Sequence, residues 1–80
     1  MQVGCGVYEL EIRRHRYLYF WHYETKGGAR RQVKDYVGSA GSPESAAKAA
    51  RLCEAYYARA DRDLRRLRAE TLAALAARGR

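Results

Sequence analysis

Eighty residues suffice for one small compact domain and exclude a multidomain enzyme. Sixteen Lys and Arg against nine Asp and Glu leave a formal net charge of +7, which favours an acidic partner such as nucleic acid. The 48% apolar content excludes a disordered basic tail, and the longest apolar run, residues 17–21, is too short to span a membrane. The first residues lack the pattern of a secretory signal, so we expect a cytoplasmic, prokaryotic-type protein, associated with the nucleoid if it binds DNA.

Three strands are predicted in the first half, where aromatic and β-branched residues recur with a period of about two, over residues 7–12, 16–23 and 30–37. Thr25-Lys26-Gly27-Gly28 supplies the positive φ angles of a tight hairpin turn between the second and third strands. Arg13-Arg14-His15 is interpreted as a short basic loop between the first two. Residues 7–37 should therefore form a three-stranded antiparallel meander.

One long helix is predicted after a linker at residues 38–42. Ser42 is a suitable N-cap, Pro43 fits the first helical position, and Glu44 complements the positive helix terminus. Helical sequence continues to residue 77, a length of about 50 Å, which exceeds the length expected for the sheet. Either the helix breaks near Ala60-Asp61, or its distal part packs on a partner. The predicted fold is α+β, a β-β-β-α arrangement in a single domain over residues 1–80.

The helix carries a heptad-like apolar seam whose members are separated alternately by four and three residues. Its members are Ala46, Ala50, Cys53, Tyr57, Ala60, Leu64, Leu67, Thr71 and Ala74. We expect residues 46–57 to pack on the sheet of the same chain. Beyond the sheet, the residues predicted to support a homodimer are Leu64, Leu67, Leu72 and Leu75. A basic stripe on the other side of the helix is interpreted mainly as a solvated face; it contains Lys48, Arg51, Arg59, Arg62 and Arg66.

Two hairpin registers are open, and they differ in which sheet face meets the helix. In the favoured register, a two-residue turn at Gly27-Gly28 pairs Tyr23 with Gln32, Trp21 with Lys34, Tyr19 with Tyr36, His22 with Val33 and Leu18 with Val37. An odd-length first loop then gives an aliphatic core of Tyr8, Leu10, Ile12, Leu18, Phe20, Val33 and Val37. In the other register, the core instead takes Tyr17, Tyr19, Trp21 and Tyr23.

The favoured register leaves a free sheet face on which aromatic and basic side chains alternate. Cations neutralise phosphates, aromatic rings stack on bases or cover the backbone, and glutamine can read a base edge. We therefore expect this face and its loops to bind nucleic acid, preferably duplex DNA. The candidate residues are Arg13, Arg14, Arg16, Tyr17, Tyr19, Trp21, Tyr23, Lys26, Arg30, Gln32 and Lys34.

The strand residues Tyr17-Leu18-Tyr19-Phe20 and Tyr23, a glycine turn, and then Arg31 and Tyr36-Val37-Gly38 resemble a pattern of small prokaryotic proteins with aromatic strands and of N-terminal segments of insertion-sequence transposases. Three strands followed by a helix is also similar to the arm-type DNA-binding domain of tyrosine integrases. That resemblance covers about residues 7–57 and implies a sheet that lies in the major groove of DNA. The turn here is longer than the usual pattern, and Gln32 stands where an aliphatic residue is expected.

Catalytic and metal chemistry are not predicted. Glu9 and Glu11 share a strand face, but cross-strand partners for arginines are a commoner role for such a pair than acid-base catalysis. The two cysteines are too few for a disulfide framework, and Cys53 is expected to be a small core residue. With His15 and His22 they match no common zinc spacing. We expect a protein that is not an enzyme and uses no metal, cofactor or small-molecule substrate; the alternatives to DNA binding are a protein-interaction module acting through the helix, or RNA binding.

Overall fold

A computed structural model describes residues 3–79 as three strands followed by one helix. Strand β1 (Cys5–Ile12), strand β2 (His15–Lys26) and strand β3 (Ala29–Ser39) form one antiparallel sheet with β2 in the centre. Helix α1 (Pro43–Arg78) lies across one face of that sheet. The predicted β-β-β-α order and α+β class are confirmed.

The first hairpin turns on two residues, Arg13 and Arg14, whose φ angles are +52° and +69°. Ile12 pairs with His15, so the predicted three-residue loop is wrong and His15 belongs to β2. Positive φ at both central positions is what a two-residue hairpin turn needs, because its twist then matches that of the strands. Arginine rarely adopts this conformation, since its Cβ crowds the backbone.

Because that turn has two residues instead of the predicted three, each side chain of β1 points to the sheet face opposite to the predicted one. Tyr8 pairs with Tyr19, and Leu10 pairs with Tyr17. Directly paired residues point to the same side of a sheet, so Tyr8, Leu10 and Ile12 share the face of Tyr17 and Tyr19. The expectation that Tyr8, Leu10 and Ile12 join the core is wrong, and Leu10 and Ile12 remain 43% and 45% exposed.

The second hairpin follows the predicted turn, with Gly27 and Gly28 at φ angles of +60° and +82°. Its register agrees with the favoured one at Tyr23–Gln32, His22–Val33, Trp21–Lys34 and Tyr19–Tyr36. A register shift between Leu18 and Tyr19 then pairs Leu18 with Gly38, so the predicted Leu18–Val37 pair is wrong. Val37 is buried in the core.

Helix α1 begins as predicted. The Ser42 hydroxyl accepts a hydrogen bond from the Ser45 amide at 3.4 Å, and Pro43 occupies the first turn. The same hydroxyl donates to the Glu44 carboxylate at 2.8 Å, which lowers the pKa of Glu44. Because β3 continues to Ser39, the predicted linker at 38–42 is shortened to residues 40–42.

The core between sheet and helix is small. Its buried members are Phe20, Val37, Ala49 and Tyr56, with Cys5, Leu18, Leu52 and Cys53 packed partly buried against them. The helix therefore covers the sheet face that carries Leu18 and Phe20, as the favoured register predicts.

The rotation of α1 about its axis differs from the expected one. The buried residues of the helix are Ser45, Ala49 and Tyr56, whereas Ala46, Ala50 and Tyr57 are exposed. Gly38 allows the buried face to approach, because the Ser45 hydroxyl occupies the place a Cβ would take. Of the seam residues 46–57 expected to pack on the sheet, Cys53 packs against the core, and Tyr57 lies beside Cys5 of β1.

Helix α1 is continuous to Arg78, so the predicted alternative of a break near Ala60-Asp61 is wrong. The molecule measures 66 × 24 × 12 Å and its radius of gyration is 17.7 Å. A compact chain of this length would have a radius of gyration of about 12 Å, and the difference reflects the distal helix projecting past the sheet. Within the part of the chain that the structure describes, no helix is long and apolar enough to cross a membrane.

Candidate nucleic-acid interface

The sheet face opposite α1 is a continuous aromatic surface, which we call the aromatic face. Tyr8 and Tyr19 stack with ring centroids 5.2 Å apart, and Tyr19 meets Tyr36 edge-on at 5.7 Å. Trp21 and Tyr23 meet edge-on at 5.5 Å. Its six members come from all three strands: Tyr8, Tyr17, Tyr19, Trp21, Tyr23 and Tyr36.

Glycines in and before β1 allow the indole to lie flat on the sheet. Gly6 pairs with Trp21, and a Cβ at Gly6 would come within 2.8 Å of the indole ring. Gly4 is less crowded, since a Cβ there would lie 3.4 Å from the Tyr23 ring, an ordinary contact distance. The absence of a side chain at residue 6 thus sets the position of Trp21 on the aromatic face.

Two cations from β3 lie over rings of the aromatic face. The Arg30 guanidinium carbon is 5.1 Å from the centroid of Tyr23, and Lys34 Nζ is 5.8 Å from the centroid of Tyr8. Attraction between a cation and the ring face holds each charge above the sheet rather than at its edge. Gln32 lies on the same side, opposite Tyr23.

The carboxylates of the sheet are segregated to one of its two sides. Arg30 and Lys34 lie on the aromatic face, because they pair with Thr25 and Trp21. By strand alternation, all four carboxylates of the three strands lie on the helix side: Glu9, Glu11, Glu24 and Asp35. The aromatic face therefore has cations and no carboxylate from its own strands.

Ion pairs occupy the helix side instead. His22 Nε2 lies 3.1 Å from Asp35 Oδ2, and Arg59 of α1 binds Glu24. Arg16 lies 3.3 Å from Glu9. Arg16 therefore belongs to this side, and its expected position at the rim of the aromatic face is wrong because strand alternation directs it away.

The hairpin turns place further cations at the two ends of the sheet. Arg13 and Arg14 form the exposed first turn, and Lys26 precedes Gly27 at the second. Antiparallel strands put these turns at opposite ends of β2, and Arg13 and Arg14 flank one end of the aromatic face. Lys26 pairs with Ala29 and follows Thr25 in β2, so strand alternation directs its side chain to the helix side, as it does for Arg16, and its expected place at the aromatic face is wrong.

The structure thus brings together most of the predicted site and adds residues to it. Tyr17, Tyr19, Trp21, Tyr23, Arg30, Gln32 and Lys34 share the aromatic face. Tyr8, Leu10 and Ile12 also lie there but were assigned to the core. Their alternation with Glu9 and Glu11 shows which residues share a face, although it does not say which face the helix covers.

The helix residues predicted to support a dimer are exposed along the projecting part of α1: Leu64, Leu67, Leu72 and Leu75. They do not form one line, because Leu72 lies about 80° around the helix from Leu64 at 100° per residue. Leu64 and Leu75 lie within about 20° of each other and are 57% and 59% exposed.

The two histidines lie on opposite sides of the sheet, since His15 pairs with Ile12 on the aromatic face and His22 packs on the helix side. Residues 3–79 contain no cluster of three or more metal-ligating side chains.

Comparisons with protein-family models, with curated proteins and with solved structures found no match to this chain. The fold and the segregation of charge in the sheet are therefore the observations from which a function is argued.

Proposed function

We propose that this chain is a DNA-binding protein that contacts duplex DNA through its aromatic face and its basic first hairpin turn. The observation that carries the proposal is the charge segregation of the sheet, with Arg30 and Lys34 on the aromatic face and every strand carboxylate behind it. A polyanion could approach this face without meeting a carboxylate of the sheet. An exposed aromatic and apolar surface of this kind on a small protein also points to a partner.

The width of the sheet fits the major groove of duplex DNA. Three strands span two inter-strand spacings, about 10 Å, and the major groove is about 12 Å wide. Arg13 and Arg14 at one end of the aromatic face would meet phosphates, while Gln32 faces base edges. Leu10 and Ile12 offer apolar contact of the kind that recognises a thymine methyl group.

Backbone strain at the first turn also supports a role for its arginines. Two non-glycine residues at positive φ cost about 1–2 kcal/mol each, and Asn-Gly would fit the same turn at a lower cost. Strain that persists in a small domain is typical of residues used for binding. Arg13 and Arg14 are such residues.

The experiment is a fluorescence anisotropy titration of the full chain against duplex DNA, single-stranded DNA and single-stranded RNA at two salt concentrations. The four cations Arg13, Arg14, Arg30 and Lys34 should neutralise about four phosphates. Affinity for duplex should then fall about 10²–10³-fold between 50 and 200 mM salt. Absent binding at low salt, or binding indifferent to salt, would refute the proposal; tighter binding to single strands would refute its duplex form and favour RNA or single-stranded DNA.

A matched pair of variants tests the site itself. Arg30→Gln with Lys34→Gln removes two charges from the aromatic face, and Lys48→Gln with Arg51→Gln removes two from the exposed helix face. The first variant should bind about 10–100-fold more weakly with a shallower salt dependence, whereas the second should change little. Equal losses would mean that net charge alone drives binding.

A second candidate function, self-association through α1, is favoured by the exposure of its seam. Ala46, Ala50 and Tyr57 are exposed beside the sheet, so the seam is open from there to the projecting Leu64. A heptad-like seam is complementary to a second helix of the same spacing. Such a homodimer would present two aromatic faces to DNA.

Sedimentation velocity tests this second candidate. Leu64→Glu should convert a dimer to a monomer, because it places a charge in the seam. Ala55→Glu is the control, since residue 55 lies about 180° around the helix and should leave the dimer intact. A monomeric wild-type chain at high concentration would exclude this candidate.

A further inference from the structure

Two cysteines that are distant in the sequence meet between β1 and α1. Cys5 opens β1 and Cys53 lies within α1, yet their Sγ atoms are 3.0 Å apart. A disulfide bond measures about 2.05 Å, so a shift of about 1 Å would bring the sulfurs to bonding distance. The sequence does not indicate this pair, because the two cysteines are 48 positions apart and meet only through the packing of α1 on β1.

The site is accessible to a small reagent. Both cysteines are only partly buried. A groove of about 520 Å³ between β1 and the first half of α1 opens onto Cys53, and its other walls include Val7, Leu18, Pro43, Ala46 and Ala50. Such a groove gives a low-molecular-weight disulfide access to Cys53.

We propose that Cys5 and Cys53 form an intramolecular disulfide by exchange with a low-molecular-weight disulfide of the glutathione class. One cysteine thiolate attacks the reagent's S–S bond, forms a mixed disulfide and releases one reagent thiolate. The second cysteine thiolate then attacks the protein sulfur of that mixed disulfide and releases the other. Two protein thiols and one reagent disulfide give one protein disulfide and two reagent thiols, so atoms and electrons balance.

The surroundings of Cys5 set how fast this exchange runs. Burial, and then the contact with Cys53, raise the pKa of Cys5 to about 11. The titratable groups that face it are Cys53 and Tyr57 from α1 and His22, its register partner on β2. Since only the thiolate attacks and Cys5 makes one of the two attacks, closure should accelerate as the pH rises.

The bond would fasten the edge strand β1 to the helix and close a long loop, which restricts the unfolded chain. It lies on the helix side of the sheet and leaves the aromatic face free. The disulfide proposal and the DNA-binding proposal can therefore be tested independently, and the failure of one does not refute the other.

The test treats the purified full chain with glutathione disulfide and compares it with a sample kept in dithiothreitol. The intact mass should fall by about 2 Da, with both thiols then resistant to alkylation. Trypsin should release the peptide of residues 1–13 joined to that of residues 52–59. The melting temperature should rise by about 10–20 °C, a gain that dithiothreitol reverses.

Cys5→Ser and Cys53→Ser are the controls, and their melting temperatures should be the same with and without oxidant. Two outcomes would overturn the proposal. One is a chain that carries glutathione on each cysteine without the internal cross-link. The other is cross-linking only between two chains, seen as a doubled mass on a non-reducing gel.

Discussion

The indole of Trp21 lies directly against the backbone of Gly6, its cross-strand partner, with ring atoms 2.8 Å and 2.9 Å from where a Cβ would stand. Gly6→Ala should force the indole away from the sheet. We expect a loss of about 1–3 kcal/mol in the free energy of unfolding, as in other overpacked sites, and a shifted tryptophan emission. Duplex affinity should fall as well, because the aromatic face is distorted.

Gly4→Ala is the matched control for this substitution. A Cβ there meets the Tyr23 ring at 3.4 Å, which is ordinary contact. This variant should keep the emission spectrum of Trp21 and be neutral or slightly more stable, since alanine restricts the unfolded chain. If both variants behaved alike, the close contact between Gly6 and Trp21 would not be what positions the indole.

Tyr56 joins the helix to β2 and to the residue before β1 through its hydroxyl group. That hydroxyl donates to the Tyr23 carbonyl at 3.0 Å and accepts from the Gly4 amide at 3.2 Å. Tyr56→Phe keeps the buried ring and removes both hydrogen bonds, so urea unfolding should show a loss of about 1–3 kcal/mol. Tyr36→Phe is the control, because the Tyr36 ring is 55% exposed, and its loss should stay below about 0.5 kcal/mol.

How far the fold could be predicted depended on how restrictive each local signal was. Gly27-Gly28 supplies the two positive φ angles of a two-residue hairpin turn, and the length of that turn fixed the register of β2 against β3 from Tyr23 to Tyr19. Ser42 and Pro43 likewise fixed the start of α1. The aromatic face on β2 followed from that register because side chains alternate along a strand.

Two features could not be predicted because the sequence offered no such restriction. Nothing in the sequence indicates that Arg13 and Arg14 adopt positive φ, so the first turn was given an odd number of residues instead of two. That error placed Tyr8 on the wrong face of the sheet. The rotation of α1 was also ambiguous. Small residues occupy both candidate faces near its start, and the core uses Ala49 rather than its neighbour Ala50.

The thiol of Cys5 should make the reduced protein less stable in alkali. Its pKa is raised from 9.0 to about 11 in the folded chain, chiefly by burial, so the folded state disfavours the thiolate. A raised pKa contributes stability that is complete below the unfolded value and is lost as pH rises through the folded one. The stability difference between wild type and Cys5→Ser should therefore move against wild type between pH 9 and 11. Urea unfolding in the presence of a phosphine reductant measures it, and a constant difference would contradict the prediction.

The first hairpin turn should lower the stability of the fold and strengthen its binding to DNA. Replacing Arg13→Asn and Arg14→Gly supplies the residues that favour positive φ, and should raise the free energy of unfolding by about 1–2 kcal/mol. The same change removes two cations from the end of the aromatic face, so duplex affinity should fall about 10–100-fold and the salt dependence should become shallower. Arg13→Lys with Arg14→Lys is the control, since it keeps both charges and the strain. Urea unfolding and anisotropy titration on the three proteins separate the effects; if the Asn-Gly variant bound DNA as tightly as wild type, the turn would lie outside the interface.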